Sequence, residues 1–171
     1  MHDLLAHITT ELLPLIITGV LHMLAVKYRW LPQLARPLWL RGFGAHKTWR
    51  GLLFMTLVNG LTLHLLSFFV PLCTEHPFAL GALLGLAYAA FELPNSWLKR
   101  RIGIAAGEHH LKYKYVFYLI DKTDSSFGVA LVYYLVSGIS LVTAGELFVV
   151  NCLTHALIAL ALVIAHIKSR F

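Results

Sequence analysis

The sequence predicts an all-α, polytopic membrane protein with five transmembrane helices and two functional cytoplasmic loops. Of its 171 residues, 58% are hydrophobic, and the mean hydropathy is +0.73. Only 13% are Asp, Glu, Lys or Arg, well below the roughly 25% of an average soluble domain. The apolar residues gather in blocks close to the ~20 residues that a helix needs to cross the hydrocarbon core. At this length we expect one integral membrane domain over residues 1–171.

Each predicted transmembrane helix corresponds to one apolar block. In chain order the blocks cover 12–26, 51–73, 78–98, 126–145 and 147–167. Two short, turn-forming connections without Lys or Arg lie at 71–78 and 143–147. Because cytoplasmic connections are enriched in basic residues, we expect both of these turns on the outer side of the membrane.

The basic residues indicate the orientation of the chain. Segments 27–50 and 99–122 hold six Lys and Arg residues each, and Lys168 and Arg170 complete the fourteen. Five crossings from an outer N-terminus place all of them on the cytoplasmic side, as the positive-inside rule requires. The sequence therefore predicts an integral inner-membrane protein whose two basic loops and C-terminus are cytoplasmic.

The net charge of +6 fits a membrane surface better than a nucleic acid. Basic clusters in so apolar a chain typically contact anionic headgroups or hold phosphates, so we expect a lipid bilayer and no nucleic acid as partners. Cys73 and Cys152 form no C-x-x-C pair, and the ten histidines show no H-x-x-x-H spacing, which disfavours a zinc site. We expect the two cysteines to be packing residues, with a disulfide between them as the alternative.

The inner end of the third block contains an acidic residue in an apolar setting. In FELPNSWLKRRIGI (91–104), Glu92, Asn95, Ser96 and Lys99 share one face of a helix. A charged side chain at mid-membrane costs about 2.5–3.5 kcal/mol, and such residues usually serve a function. We expect Glu92 to reach a cavity open to the cytoplasm. The alternative is an acid paired with a basic residue for packing or topology.

Two further acids stand at the start of the fourth block. Asp121 and Asp124, in LIDKTDSSFG (119–128), are three residues apart, so on a helix their carboxylates share a face and repel each other unless a cation lies between them. Oxygen ligands favour Mg²⁺. The alternative is that the acids cap the N-terminus of a helix.

The first basic loop contains a glycine-rich segment, GFGAHKTWRG (42–51). Glycines allow backbone amides to approach an anion, and Lys47 and Arg50 supply positive charge. The spacing differs from that of a Walker A loop. An ordinary basic loop beside the membrane is the alternative interpretation.

Together, GAHKTWRG, ELPNSWLKRRIGI and DKTDSSFG resemble the membrane CTP:lipid-phosphate cytidylyltransferases. The resemblance is greatest to the small CDP-archaeol synthase type and more distant to phosphatidate cytidylyltransferases, and it covers roughly residues 27–130. That family usually has Asp where this chain has Glu92, and Gln or Arg where it has Lys122.

The resemblance implies Mg²⁺-dependent transfer of CMP from CTP to a membrane lipid phosphate, which forms a CDP-lipid of the archaeol or diacylglycerol type and releases pyrophosphate in phospholipid biosynthesis. The implied catalytic residues are Lys47, Lys99, Arg100, Asp121 and Asp124. The implied CTP contacts are Gly44, Lys47, Thr48, Arg50, Ser96 and Lys99. The implied Mg²⁺ ligands are Glu92, Asp121 and Asp124.

Three other functions are compatible with the same residues. A CTP-dependent lipid kinase would use similar ligands to form a different product. A small membrane carrier or channel would use Glu92 as an ion or proton site. A noncatalytic adaptor would bind anionic headgroups through its basic loops. Transfer of label from the α- or the γ-phosphate of CTP to lipid separates these classes.

Overall fold

A computed structural model describes residues 2–105 and 114–165, and these residues are mainly helical. A 3₁₀ turn at Pro32–Leu34 separates the first helix from the second. The helices are α1 (His2–Lys27), α2 (Leu40–Phe43), α3 (Trp49–Leu66), α4 (Pro77–Arg101), α5 (Lys114–Ser137) and α6 (Leu141–Ile164). The predicted all-α class is confirmed over the described ranges.

Three of these helices are long and apolar enough to cross a membrane. They span Leu4–Lys27, Pro77–Arg101 and Leu141–Ile164, so the membrane character of the chain is supported. The shorter helix α3 contains Arg50 and Asn59, and α5 contains Asp121 and Asp124. Such residues lower the mean hydropathy of a helix, and the five-span count therefore remains a prediction.

The predicted turn at 143–147 is wrong, because these residues lie within α6. The chain reverses at Gly138, whose φ of 64° favours glycine. Ser140 then caps α6, and its hydroxyl accepts the backbone N–H of Thr143 at 3.1 Å. Helix α5, which corresponds to the fourth predicted transmembrane helix, therefore ends at Ser137 rather than near 145.

The second predicted loop, 99–122, is also shorter than expected. Helix α4 continues to Arg101, and α5 is already helical at Lys114. Apolar blocks understate helix length at this end because the polar turns of α4 and α5 face each other rather than lipid. Glu108, within this segment, lies outside the described residues.

Helices α3 and α4 pack closely through small residues. A Cβ atom on Gly85 would lie 2.1 Å from the Met55 carbonyl oxygen, and one on Gly81 would lie 2.7 Å from that of Asn59. The Asn59 amide donates to the Gly81 carbonyl at 2.7 Å. Glycines at such a crossing let two backbones approach within van der Waals distance, and this contact fixes α4 against α3.

The first basic loop folds back on itself before α3. Pro37 and Thr48 form an antiparallel bridge, and the Leu38 N–H donates to the Lys47 carbonyl at 2.8 Å. The Thr48 hydroxyl caps α3 by accepting the Gly51 N–H at 3.2 Å. These contacts hold Lys47 just before the N-terminus of α3.

Candidate functional site

The polar face of α4 meets the two acids of α5. The Asn95 side-chain amide donates to Asp121 Oδ1 at 2.6 Å and to Asp124 Oδ2 at 2.9 Å. Asn95 is buried, so the two carboxylates converge on one group inside the protein. Its own carbonyl oxygen, Oδ1, is buried without a hydrogen-bond partner among the described residues.

Lys99 neutralises one of these acids. Its Nζ lies 2.5 Å from both carboxylate oxygens of Asp121 and 5.4 Å from the centre of the Phe117 ring. Asp121 therefore has a cation beside it and Asp124 an amide, an arrangement that relieves the repulsion between the two carboxylates.

Glu92 forms an ion pair with Lys47 of the glycine-rich segment. Burial by itself would lower the pKa of Lys47, but the Glu92 carboxylate, supported by Asp124 and Asp121, raises it above its usual value. Lys47 is therefore a cation at neutral pH. The pair fits a catalytic site and also the alternative in which Glu92 is paired for packing.

These contacts bring together the three segments that the sequence analysis selected. The Lys47 pair joins the first loop to α4, and Asn95 and Lys99 join α4 to α5. Side chains 74 residues apart in sequence, from Lys47 to Asp121, thus form one polar cluster. We call Lys47, Glu92, Asn95, Lys99, Asp121 and Asp124 the inner polar cluster.

A cavity of about 260 Å³ adjoins Lys47 and Glu92. Its other polar lining residues are His22, His46, Thr48, Tyr88 and His155. The Tyr88 hydroxyl lies 3.2 Å from His155 Nε2. Gly51, in the cavity wall, lies close to His22, because a Cβ atom on Gly51 would be 3.5 Å from Nε2 of the His22 ring. The cavity therefore combines a charged end with hydrogen-bonding rings.

Several of these lining residues were not predicted from the sequence. The histidines show no metal-ligand spacing in the sequence, yet His22 and His155 line the same cavity. Tyr88 precedes Glu92 by four residues and so shares its helix face, a spacing that could have selected it. For the histidines on α1 and α6, no sequence pattern indicates that the two helices meet here.

The remaining predicted residues hold the loop and the ends of the helices. Gly44 ends α2 with a φ of 85°, and Thr48 caps α3. Arg50 donates to the Trp30 carbonyl at 3.0 Å and is not among the described residues lining the cavity. Ser96 is buried beside Asn95, and Arg100 donates to the Ile104 carbonyl.

The capping alternative for the acid pair is wrong. Helix α5 is already formed at Lys114, two turns before Asp121, and capping residues occupy the end of a helix. The Asp pair therefore lies in the body of the helix, and the backbone N–H that it accepts there is that of Ser125, which donates to Asp124 Oδ1 at 2.7 Å.

The acid pair has the chemistry of a Mg²⁺ site, although Glu92 points to a different partner. Within ranges 4–105 and 116–165, no group of three or more His, Cys, Asp or Glu side chains is close enough to hold a metal. Two carboxylates and the unpartnered oxygen of Asn95 nevertheless supply three oxygen donors, the ligand type that Mg²⁺ prefers. These residues fit the ion if the Asn95 amide turns its oxygen toward the acids.

Comparison with models of known families, with curated proteins and with solved structures gave no match to this chain. The resemblance to the cytidylyltransferases therefore depends on the three segments themselves.

Proposed function

We propose that this chain transfers CMP from CTP to a membrane lipid phosphate, with formation of a CDP-lipid and pyrophosphate. One observation supports this function above others: three segments distant in sequence supply two lysines, three acids and an amide to one cluster at the inner ends of the helices. Phosphoryl chemistry depends on cations and positioning more than on covalent catalysis.

In the proposed arrangement five helices, α1 and α3 to α6, cross the inner membrane. Both basic loops then lie in the cytoplasm, where CTP is available, and all fourteen Lys and Arg residues fall on that side. The polar residues of α3 and α5 are compatible with this because polar groups in membrane helices face protein partners rather than lipid.

In the proposed reaction an oxygen of the lipid phosphate attacks the α-phosphorus of CTP, a new P–O bond forms, and the bond to pyrophosphate breaks. The attacking oxygen is already anionic, so no general base is required. Lys47 and Lys99 would exchange their carboxylate partners for phosphate oxygens and neutralise the charge that develops on the leaving group.

Asp121, Asp124 and the Asn95 oxygen would hold Mg²⁺. Glu92, the remaining acid of the cluster, would lie close to Lys47. When bound, this ion supplies further charge neutralisation and orients the triphosphate.

The decisive experiment supplies purified protein in detergent with Mg²⁺, a panel of lipid phosphates, and CTP labelled in the α- or the γ-phosphate. We expect α-label in the lipid and release of pyrophosphate. Transfer of γ-label would indicate a lipid kinase instead, and absence of both with every lipid tested would contradict the proposal.

A carrier is the second candidate, because α1 contains a buried acid. Glu11 is fully buried and accepts a hydrogen bond from Asn151 at 2.9 Å, and its second oxygen has no partner among the described residues. Intramembrane acids of this kind occur in ion and proton paths. Two results together would favour this function: proton flux into proteoliposomes that is abolished by Glu11→Gln, and no labelled lipid in the CTP assay.

A further inference from the structure

A second pocket lies apart from the inner polar cluster, where α2 packs against the inner end of α4. It has a volume of about 190 Å³ and shares no described lining residue with the larger cavity. Its lining consists of Trp39, Arg41, Gly42, Trp97, Arg100 and Arg101. We call this the arginine pocket.

The charges of the arginine pocket are not balanced from within. Three of its six described lining residues are arginines and none is acidic. Arg100 donates to the Ile104 carbonyl, but its Nε is buried without a partner among the described residues. The Arg101 guanidinium lies 5.0 Å from the centre of the Trp97 ring. Three guanidinium groups around one pocket, without an acid among its described lining residues, favour an anion as the ligand.

The shape and chemistry of the pocket favour a phosphate group. Guanidinium groups present planar pairs of N–H donors that match phosphate oxygens. Gly42 is needed for the shape, because a Cβ there would lie 2.1 Å from the Trp39 ring. The Trp39 ring therefore packs directly against the glycine and forms one wall of the pocket.

The surroundings place this phosphate site at a membrane surface. Trp39 and Trp97 are partly exposed, and so are the adjoining apolar residues Leu40 and Leu98. Exposed tryptophans beside basic residues are typical of the headgroup region of a bilayer. A soluble phosphate would gain nothing from these apolar groups, whereas a lipid would contact them with its glycerol and upper chain regions.

We propose that the arginine pocket binds the phosphate group of an anionic membrane lipid. The proposal goes beyond CMP transfer and requires neither CTP nor Mg²⁺. The arginine pocket is then a headgroup site separate from the cavity beside Lys47. It either delivers the lipid to the inner polar cluster or retains an anionic lipid against α2 and α4.

The test is native mass spectrometry of purified protein titrated with dioleoyl phosphatidate or, as the neutral comparison, dioleoyl phosphatidylcholine. Arg100→Gln and Arg101→Gln should each weaken phosphatidate binding at least about tenfold, the effect of losing one charge-assisted hydrogen bond. Gly42→Ala keeps every charge but displaces Trp39, so it should weaken binding as well. Phosphatidylcholine binding should not change.

Arg36→Gln is the matched control, since it removes the same charge from an exposed residue of the first basic loop that lines neither pocket. Equal losses in Arg36→Gln and Arg100→Gln would show a general charge effect and overturn the proposal. Unchanged phosphatidate binding in both arginine variants, with thermal unfolding as in wild type, would also overturn it. Displacement of the lipid by millimolar inorganic phosphate or by CTP would assign the pocket to a soluble anion instead.

Discussion

Two ammonium groups near the C-terminal end of α4 each hold a carboxylate, Lys47 with Glu92 and Lys99 with Asp121. Both pairs are only partly exposed, so removal of one partner leaves a charge that is poorly solvated. Breaking a buried pair is much more costly than replacing both partners. This asymmetry allows a structural pair to be distinguished from a functional one.

Asp121→Asn and Asp124→Asn should each lower CDP-lipid formation by a factor of about 100 or more, as loss of a charge-stabilising group does in other active sites. Asp124→Asn should fold as wild type, because the Asn95 amide can still bond to the new side chain and acid–acid repulsion falls. Asp121→Asn should stay folded but be less stable, because it leaves Lys99 without its carboxylate partner. The measurements are turnover at saturating Mg²⁺ and thermal unfolding. Glu146→Gln, an exposed acid on α6, is the matched control and should retain full activity. Loss of folded protein with normal specific activity in the remainder would contradict this prediction.

The Lys47–Glu92 pair can be tested with a double-mutant cycle. If the pair is functional, Glu92→Gln should lose most activity and Mg²⁺ dependence, and Glu92→Asp should retain more. The double variant, with both Lys47→Gln and Glu92→Gln, should be no more active than either single variant. As a packing pair, the double variant should regain the stability that each single variant loses. A Mg²⁺ titration of wild type and the four variants makes the comparison, and wild-type activity in the double variant would exclude a catalytic role for Glu92.

At the scale of the helices, the glycine contact between α3 and α4 determines where the site forms. Gly85→Ala should destabilise the protein by about 1–3 kcal/mol, the usual cost of overpacking, since its Cβ would lie 2.1 Å from the Met55 carbonyl. Activity should fall too, because α4 carries Glu92, Asn95 and Lys99. Thermal unfolding in detergent measures the change. Gly145→Ala on α6, where an added Cβ meets no atom within 4 Å, should have little effect; equal destabilisation would refute the packing explanation.

The helix boundaries could be predicted from the sequence only in part. The number of long helices and their approximate positions follow from the apolar blocks. The turn between α5 and α6 does not, because Gly145 in the TAGEL segment resembles a breaker as strongly as Gly138 does. Only the backbone conformation separates them: Gly138 has a φ of 64°, whereas Gly145 lies within a helix.

For the molecule as a whole, the proposed orientation makes the first basic loop cytoplasmic. After replacement of the free cysteines Cys73 and Cys152 by Ala, a cysteine introduced at Arg36 should be protected from a membrane-impermeant maleimide in intact cells. A cysteine introduced at Glu75 should be labelled, since that exposed residue lies in the α3–α4 connection. Labelling of position 36 and protection of position 75 would reverse the orientation.

The sequence by itself determined the membrane character, the helical class and the three segments that contain the inner polar cluster. These properties depend on composition and on local spacing, which a linear chain already contains. It also indicated Glu92, Asp121 and Asp124 as unusual, because an acid among apolar residues is costly wherever the helices pack.

The tertiary structure alone decided which groups meet. The pairing of Glu92 with Lys47, the convergence of both Asp residues on Asn95, and the approach of His22 and His155 to one cavity depend on how α1, α3, α4, α5 and α6 cross. Those crossings are set by close contacts such as Gly85 against Met55. No local pattern specifies them, because the packing free energy of each helix depends on the surface that its neighbour presents.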